Sequence, residues 1–187
     1  YQDSMAQVPQ KVIDVFSRKR LHMQDSLCFY LLLSYESKCY YYMNRMEDAF
    51  RTNKEVIRYC TNHASFDRSR ALLAEAFNNQ GVYWQELGER DSAIRVLKSS
   101  VDILQTTRNR SILTSVYINL ADCHLQKGDY PQCGFYYRKA LSVADSLGIG
   151  YRDHFAIYSG LGKLYLELGN FPEANEYFVK AEQIENL

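Results

Sequence analysis

The sequence predicts an all-α protein, a solenoid of paired helices, and three observations carry that prediction. A segment of similar pattern recurs along the chain at a nearly constant spacing. Within each copy the apolar residues return every three or four positions, the period of a helix face rather than of a strand. The composition suits a continuous core with few irregular segments: of 187 residues, 47% are hydrophobic and 14% aromatic, against three prolines and nine glycines.

Three copies superpose without a gap. Ala76 to Ser100 reads AFNNQGVYWQELGERDSAIRVLKSS, Val116 to Ala140 reads VYINLADCHLQKGDYPQCGFYYRKA, and Ile157 to Ala181 reads IYSGLGKLYLELGNFPEANEYFVKA. Their glycines Gly88, Gly128 and Gly169 stand 40 and 41 residues apart, a spacing expected of stacked repeats. In the first half of each copy a large residue (Phe77, Tyr117, Tyr158) precedes a small one (Gly81, Ala121, Gly162) and then a ring (Trp84, His124, Tyr165). In the second half a small residue (Ala93, Cys133, Ala174) precedes a large one (Leu97, Tyr137, Phe178) and a small one (Ser100, Ala140, Ala181). Two helices cross closely only where one side has almost no side chain, so Gly81 is expected to face Ala93 and Gly162 to face Ala174. The glycine between the halves accepts the left-handed conformation that closes a helix. Pro131 and Pro172 fit the first turn of the next helix, where a missing N–H costs nothing.

A fourth copy runs from Leu32 to Val56, reading LLSYESKCYYYMNRMEDAFRTNKEV. Leu33, Ser37, Tyr40, Ala49 and Val56 fall at the pattern positions, and Asn44 replaces the glycine, as asparagine also tolerates the left-handed region. Asn53 departs from the pattern, standing where an aromatic is expected. Upstream, Val12, Ile13, Val15 and Phe16 predict one amphipathic helix over about 9–21. The expected organisation is a single array over 1–187: that orphan helix, then repeats over 24–63, 67–105, 108–147 and 151–187, about nine helices in all.

These residues resemble the tetratricopeptide repeat (TPR), whose usual period of about 34 residues is here lengthened by up to a turn per helix. The resemblance implies a right-handed superhelix whose concave face, lined by the first helix of each pair, holds a protein or peptide. Carried over residue by residue, that face is Ser34, Lys38, Tyr41 and Tyr42; Asn78, Val82, Gln85 and Glu86; Ile118, Asp122 and Gln126; and Ser159, Lys163, Leu166 and Glu167. Chaperone-binding members seize a C-terminal carboxylate with a Lys/Asn clamp, but here Asn78 is followed by Val82 and Ile118 by Asp122, which departs from that clamp. Glu86, Asp122 and Glu167 outweigh Lys38 and Lys163, so neutral or basic segments are favoured. Long-helix arrays of this kind are similar to those of kinesin light chains and of bacterial peptide-sensing regulators. The run Ala140-Leu-Ser-Val-Ala-Asp-Ser-Leu-Gly148 looks like bacterial signalling proteins in which such an array precedes a membrane helix and a DNA-binding or histidine-kinase output.

Other chemistries lack their residues. A nucleophile with its base, a metal cluster and a phosphate loop are all missing as patterns, so no enzyme activity, metal or cofactor is expected. Gly160-Leu-Gly162-Lys163 lies inside a helix without the strand or spacing of a phosphate loop. His124 occupies a core ring position, while His22, His63 and His154 fall near helix ends. Cys28, Cys39, Cys60, Cys123 and Cys133 show no C-x-x-C pair and read as reduced, mostly shielded thiols. Lys plus Arg equals Asp plus Glu at 22 each, which argues against direct binding of nucleic acid or anionic lipid, and Arg18-Lys19-Arg20 reads as a solvated helix end. No apolar run approaches the about 20 residues of a membrane span. The piece therefore reads as soluble, with no membrane contact of its own and with cytoplasm and periplasm equally compatible. Tyr1 in place of Met reads as a processed or excised start. Two functions fit: a sensory or regulatory segment of a larger signalling chain, or a free-standing scaffold. Self-association through the convex face or the exposed end of the array competes with binding in the groove.

Overall fold

The computed structural model describes residues 27–148 and 151–185, and the predicted helix over 9–21 lies outside them. Among the described residues there are eight α-helices and no strand: α1 Leu27–Tyr42, α2 Met46–Asn62, α3 Asp67–Glu86, α4 Arg90–Gln105, α5 Leu113–Gln126, α6 Tyr130–Leu147, α7 Tyr151–Glu167 and α8 Phe171–Glu185. Consecutive helices pack as antiparallel pairs, α1 on α2, α3 on α4, α5 on α6 and α7 on α8, and each second helix leads into the next pair. The fold is an all-α superhelix of stacked pairs.

The turn inside each pair is the same backbone motif four times. Asn44 (φ 56°), Gly88 (φ 78°), Gly128 (φ 73°) and Gly169 (φ 71°) adopt the left-handed conformation. The amide after each reaches back over a full turn, Arg45 to the Tyr40 carbonyl at 2.8 Å, and Glu89 to Trp84, Asp129 to His124 and Asn170 to Tyr165 at 2.9 Å. This satisfies carbonyls that a helix end would leave open. Asp129 adds a side-chain cap, accepting from the Gln132 amide at 3.4 Å, with Pro131 in the first turn of α6.

Packing within the pairs corrects the expected partners of the small residues. A Cβ on Gly81 would lie 2.5 Å from Leu97 Cγ, and one on Gly162 would lie 2.6 Å from Phe178 Cε1. The glycines therefore receive the large residue of the second helix rather than Ala93 or Ala174. Gly160 does the same between pairs, since its Cβ would fall 2.2 Å from the Tyr137 ring of α6. Asn53, the misfit of the first repeat, is buried and donates to the Ala76 carbonyl of α3 at 2.8 Å, and Ser100 donates to Ala74 at 2.7 Å. Both tie a second helix to the first helix of its own or the following pair. The cysteines carry no disulfide; Cys60, Cys123 and Cys133 are buried, Cys39 is half-buried and Cys28 is exposed, so the thiols are shielded in the main but not throughout.

Candidate binding groove

The first helices face one another across the array: α1 packs on α3, α3 on α5 and α5 on α7, while second helices make no comparable contact with one another. Elements that approach more closely lie on the inner side of a curved stack, so the first helices form the concave face.

The C-terminal ends of these helices gather six of the expected residues. Tyr41, Val82, Gln85, Glu86 and Gln126, with Arg90, line a cleft of about 380 Å3. Tyr41, Tyr42 and Glu86 continue into an adjoining hollow of about 300 Å3 with Asn44 and Met46. The rings of Tyr41 and Tyr42 meet edge to face at 5.3 Å, and Tyr41 lies over buried Tyr83 at 5.3 Å. Burial, and then the neighbouring Glu86 carboxylate, push the Tyr41 hydroxyl pKa upward. Gln126 accepts from Arg90 Nε at 3.3 Å, which ties the end of α5 to the start of α4.

Other expected residues serve the fold. Ser34 is only 1% exposed, wedged against α3, where it accepts from Asn79 at 3.4 Å. Lys38 is paired with Glu75 of α3, so its charge is spent inside the array. Asn78 accepts from Asn119 of α5 at 2.9 Å, and Ile118 packs on the main core cluster. Asp122 accepts from the hydroxyl of fully buried Tyr137. Burial raises the Asp122 pKa, against the lowering effects of Tyr137 and the Lys163 ammonium. Further along, Ser159 is half-buried, while Lys163, Leu166 and Glu167 are exposed on α7.

Sequence reasoning missed the N-terminal half of the groove. Leu27, Leu31, Arg68 and Glu75, with Leu104 and Asn109, line a cleft of about 410 Å3 bounded by α1, α3 and the connection from α4 to α5. The signal was available: stepping back three or four residues at a time from Lys38 and Asn78 stays on the same helix face. His124 is buried at its ring position, stacked on Tyr136 at 5.4 Å with Nδ1 3.0 Å from Asp129 Oδ2.

Residues 112–184 match the family model described as tetratricopeptide repeat. The fold is that of a tetratricopeptide-repeat superhelix. Among solved structures, BtubC (BKLC) from P. vanneervenii is similar with a TM-score of 0.80 at 17% identity, covering 95% of this chain and 73% of that one. A Signal Transduction ATPase with Numerous Domains (STAND) protein with a tetratricopeptide repeat sensor, from Pyrococcus horikoshii, gives 0.78 at 20% identity, covering 94% of this chain and 26% of that one. The apo form of RapI gives 0.64 at 14% identity, covering 100% and 78%. At these identities the likeness is one of fold. No curated protein sequence matches the chain. A TPR fold implies a protein-interaction module, with an extended surface built by the stacked pairs.

Proposed function

We propose that this array holds a partner protein or peptide segment along the groove of its first helices, as the sensory or regulatory part of a larger signalling chain. The observation that carries the reading is the gathering of Tyr41, Tyr42, Val82, Gln85, Glu86 and Gln126, from three different helices, around two adjoining hollows. Tyrosines of this exposure supply contact area at little entropic cost. The similarity to a STAND protein with a tetratricopeptide repeat sensor supports the sensory role over that of a free scaffold.

The test is calorimetry with the partner recovered by pull-down from the source cell. Tyr42→Ala should cost about 2 kcal/mol or more if it is an anchor, and Gln85→Ala less. Arg95→Ala and Lys139→Ala, on the outer helices α4 and α6, should leave affinity nearly unchanged. Loss in the outer variants with retention in the groove variants would move the site to the convex face. Asp122 is unsuited to this test, because removing it strands the Tyr137 hydroxyl.

A further inference from the structure

We infer that the rim of the groove, where α1 and α3 end, receives a basic side chain of the bound segment, the guanidinium or ammonium group of an arginine or lysine. This rests on the groove reading and names the chemistry it selects. Of the five residues around the 300 Å3 hollow, Glu86 alone is charged. Its carboxylate is exposed beside Tyr41, whose hydroxyl pKa it helps to raise, and among the described residues has no cationic partner in an ion pair. Several carboxylates elsewhere in the array are matched, Glu75 by Lys38, Asp48 by Arg45 and Arg51, and Asp91 by Lys127. Arg90, on the far side of the neighbouring cleft, is directed to Gln126 and to the Gly88 carbonyl, at 3.3 Å each. Beside Glu86, Tyr42 stands 76% exposed against a Tyr41 ring that Tyr83 holds in place. An aromatic face with a carboxylate at its edge fits a cation, and a planar guanidinium can stack on one while donating to the other.

The helix ends point the same way. α1 and α3 both finish at this hollow, and neither carries a basic residue in its last turn. Their terminal carbonyls concentrate partial negative charge, which favours a cation and disfavours Glu86 where it stands. A carboxylate held at a helix end that opposes it, with no cation paired to it among the described residues, breaks a local rule that a ligand cation would restore.

The probe is N-acetyl-arginine amide, compared with its neutral isostere N-acetyl-citrulline amide and followed by amide NMR spectra of the whole chain. The arginine probe should give saturable shifts at Tyr42, Asn44 and Glu86, with citrulline weaker by about 5-fold or more. Glu86→Gln should abolish that preference, and Tyr42→Ala should weaken arginine binding, each with the spectrum elsewhere unchanged. Equal binding of the two probes, shifts centred away from the hollow, or an arginine preference that survives Glu86→Gln would overturn the assignment. The two readings fail separately: a protein partner that needs Tyr42 and Gln85 while the probes bind equally preserves the groove and removes the cation site. Arginine-selective binding at the hollow, with a partner held on the outer helices, does the reverse.

Discussion

Asp122 shows how one residue of the groove is shared between fold and surface. Burial raises its pKa above the ordinary 3.8, although the Tyr137 hydroxyl and Lys163 act in the opposite direction. The folded carboxyl therefore gives up its proton less readily than the unfolded one. Its contribution to stability is fully present below the unfolded value and is lost as pH rises through the folded value. Asp122→Asn keeps an acceptor for Tyr137 and removes the charge, so the melting temperature of the variant relative to the parent should climb as pH rises from below 3.8 to neutrality. Thermal melts across that range decide, and a difference independent of pH would mean that burial does not govern this carboxyl. Asp122→Ala is another matter, since a buried hydroxyl left without an acceptor costs about 1–3 kcal/mol. The residue was legible in the sequence as a first-helix carboxylate. Its bond to Tyr137 was not, because that bond crosses from α5 to α6.

Between elements, the controlling feature is where each large second-helix residue finds room. Leu97 settles on Gly81 within its own pair, whereas Tyr137 reaches across to Gly160 of the next pair. Tyr137 is fully buried and bonded at its hydroxyl, so its ring cannot retreat. Gly160→Ala should therefore overpack the junction of α6 and α7 by about 1–3 kcal/mol in urea denaturation. Adding Tyr137→Leu should recover part of that loss, a non-additivity expected only if the two residues touch. Additive losses would show that the ring does not seat on Gly160. Gly162 offers the contrast: the Phe178 ring above it is 38% exposed at the end of the described array and can move aside, so substitution there should cost less than at Gly81. Volume complementarity at Tyr137 and Gly160 was readable in principle. The preceding repeats carry Leu97 with Asn119 and Asn53 with Asn79 at the aligned positions, so the larger side chain coincides with the smaller seat.

Across the molecule, the core divides into three clusters that meet at α3. The largest runs from Ala74 of α3 to Leu164 of α7, while two smaller ones hold α1 and α2 against α3. The first pair also buries more polar side chains, among them Ser34, Glu36, Ser37, Thr52 and Asn53. In a stacked array each pair is held only by its neighbours, so the pair with the smaller apolar clusters should open first. Cysteines report this directly. Burial pushes the Cys60, Cys123 and Cys133 thiols up to about 12, which suppresses the reactive thiolate. With a thiol reagent Cys28 should label at once, and under rising denaturant Cys60 of α2 should label before Cys123 and Cys133. Simultaneous labelling of all three would indicate a single cooperative unit.

What the sequence determined by itself was the local and periodic content. Four left-handed turns at Asn44, Gly88, Gly128 and Gly169 follow from residue types that tolerate positive φ, and the small and large positions follow from helical period. These suffice for helix pairs stacked into a superhelix, because each is a property of residues close together in the chain. Tertiary structure alone decided which expected groove residues remain free for a partner. Ser34 went to Asn79, Lys38 to Glu75, Asn78 to Asn119 and Asp122 to Tyr137. Each of those partners lies on another helix, and whether a polar side chain on an inner face meets solvent or a neighbour depends on how closely the pairs stack. That distance is set by the bulk of side chains about 40 residues away, the repeat period, and no local pattern encodes it. Tyr42 and Glu86 stay available for the complementary reason: they sit at the ends of α1 and α3, beyond the reach of the helices that close over the rest.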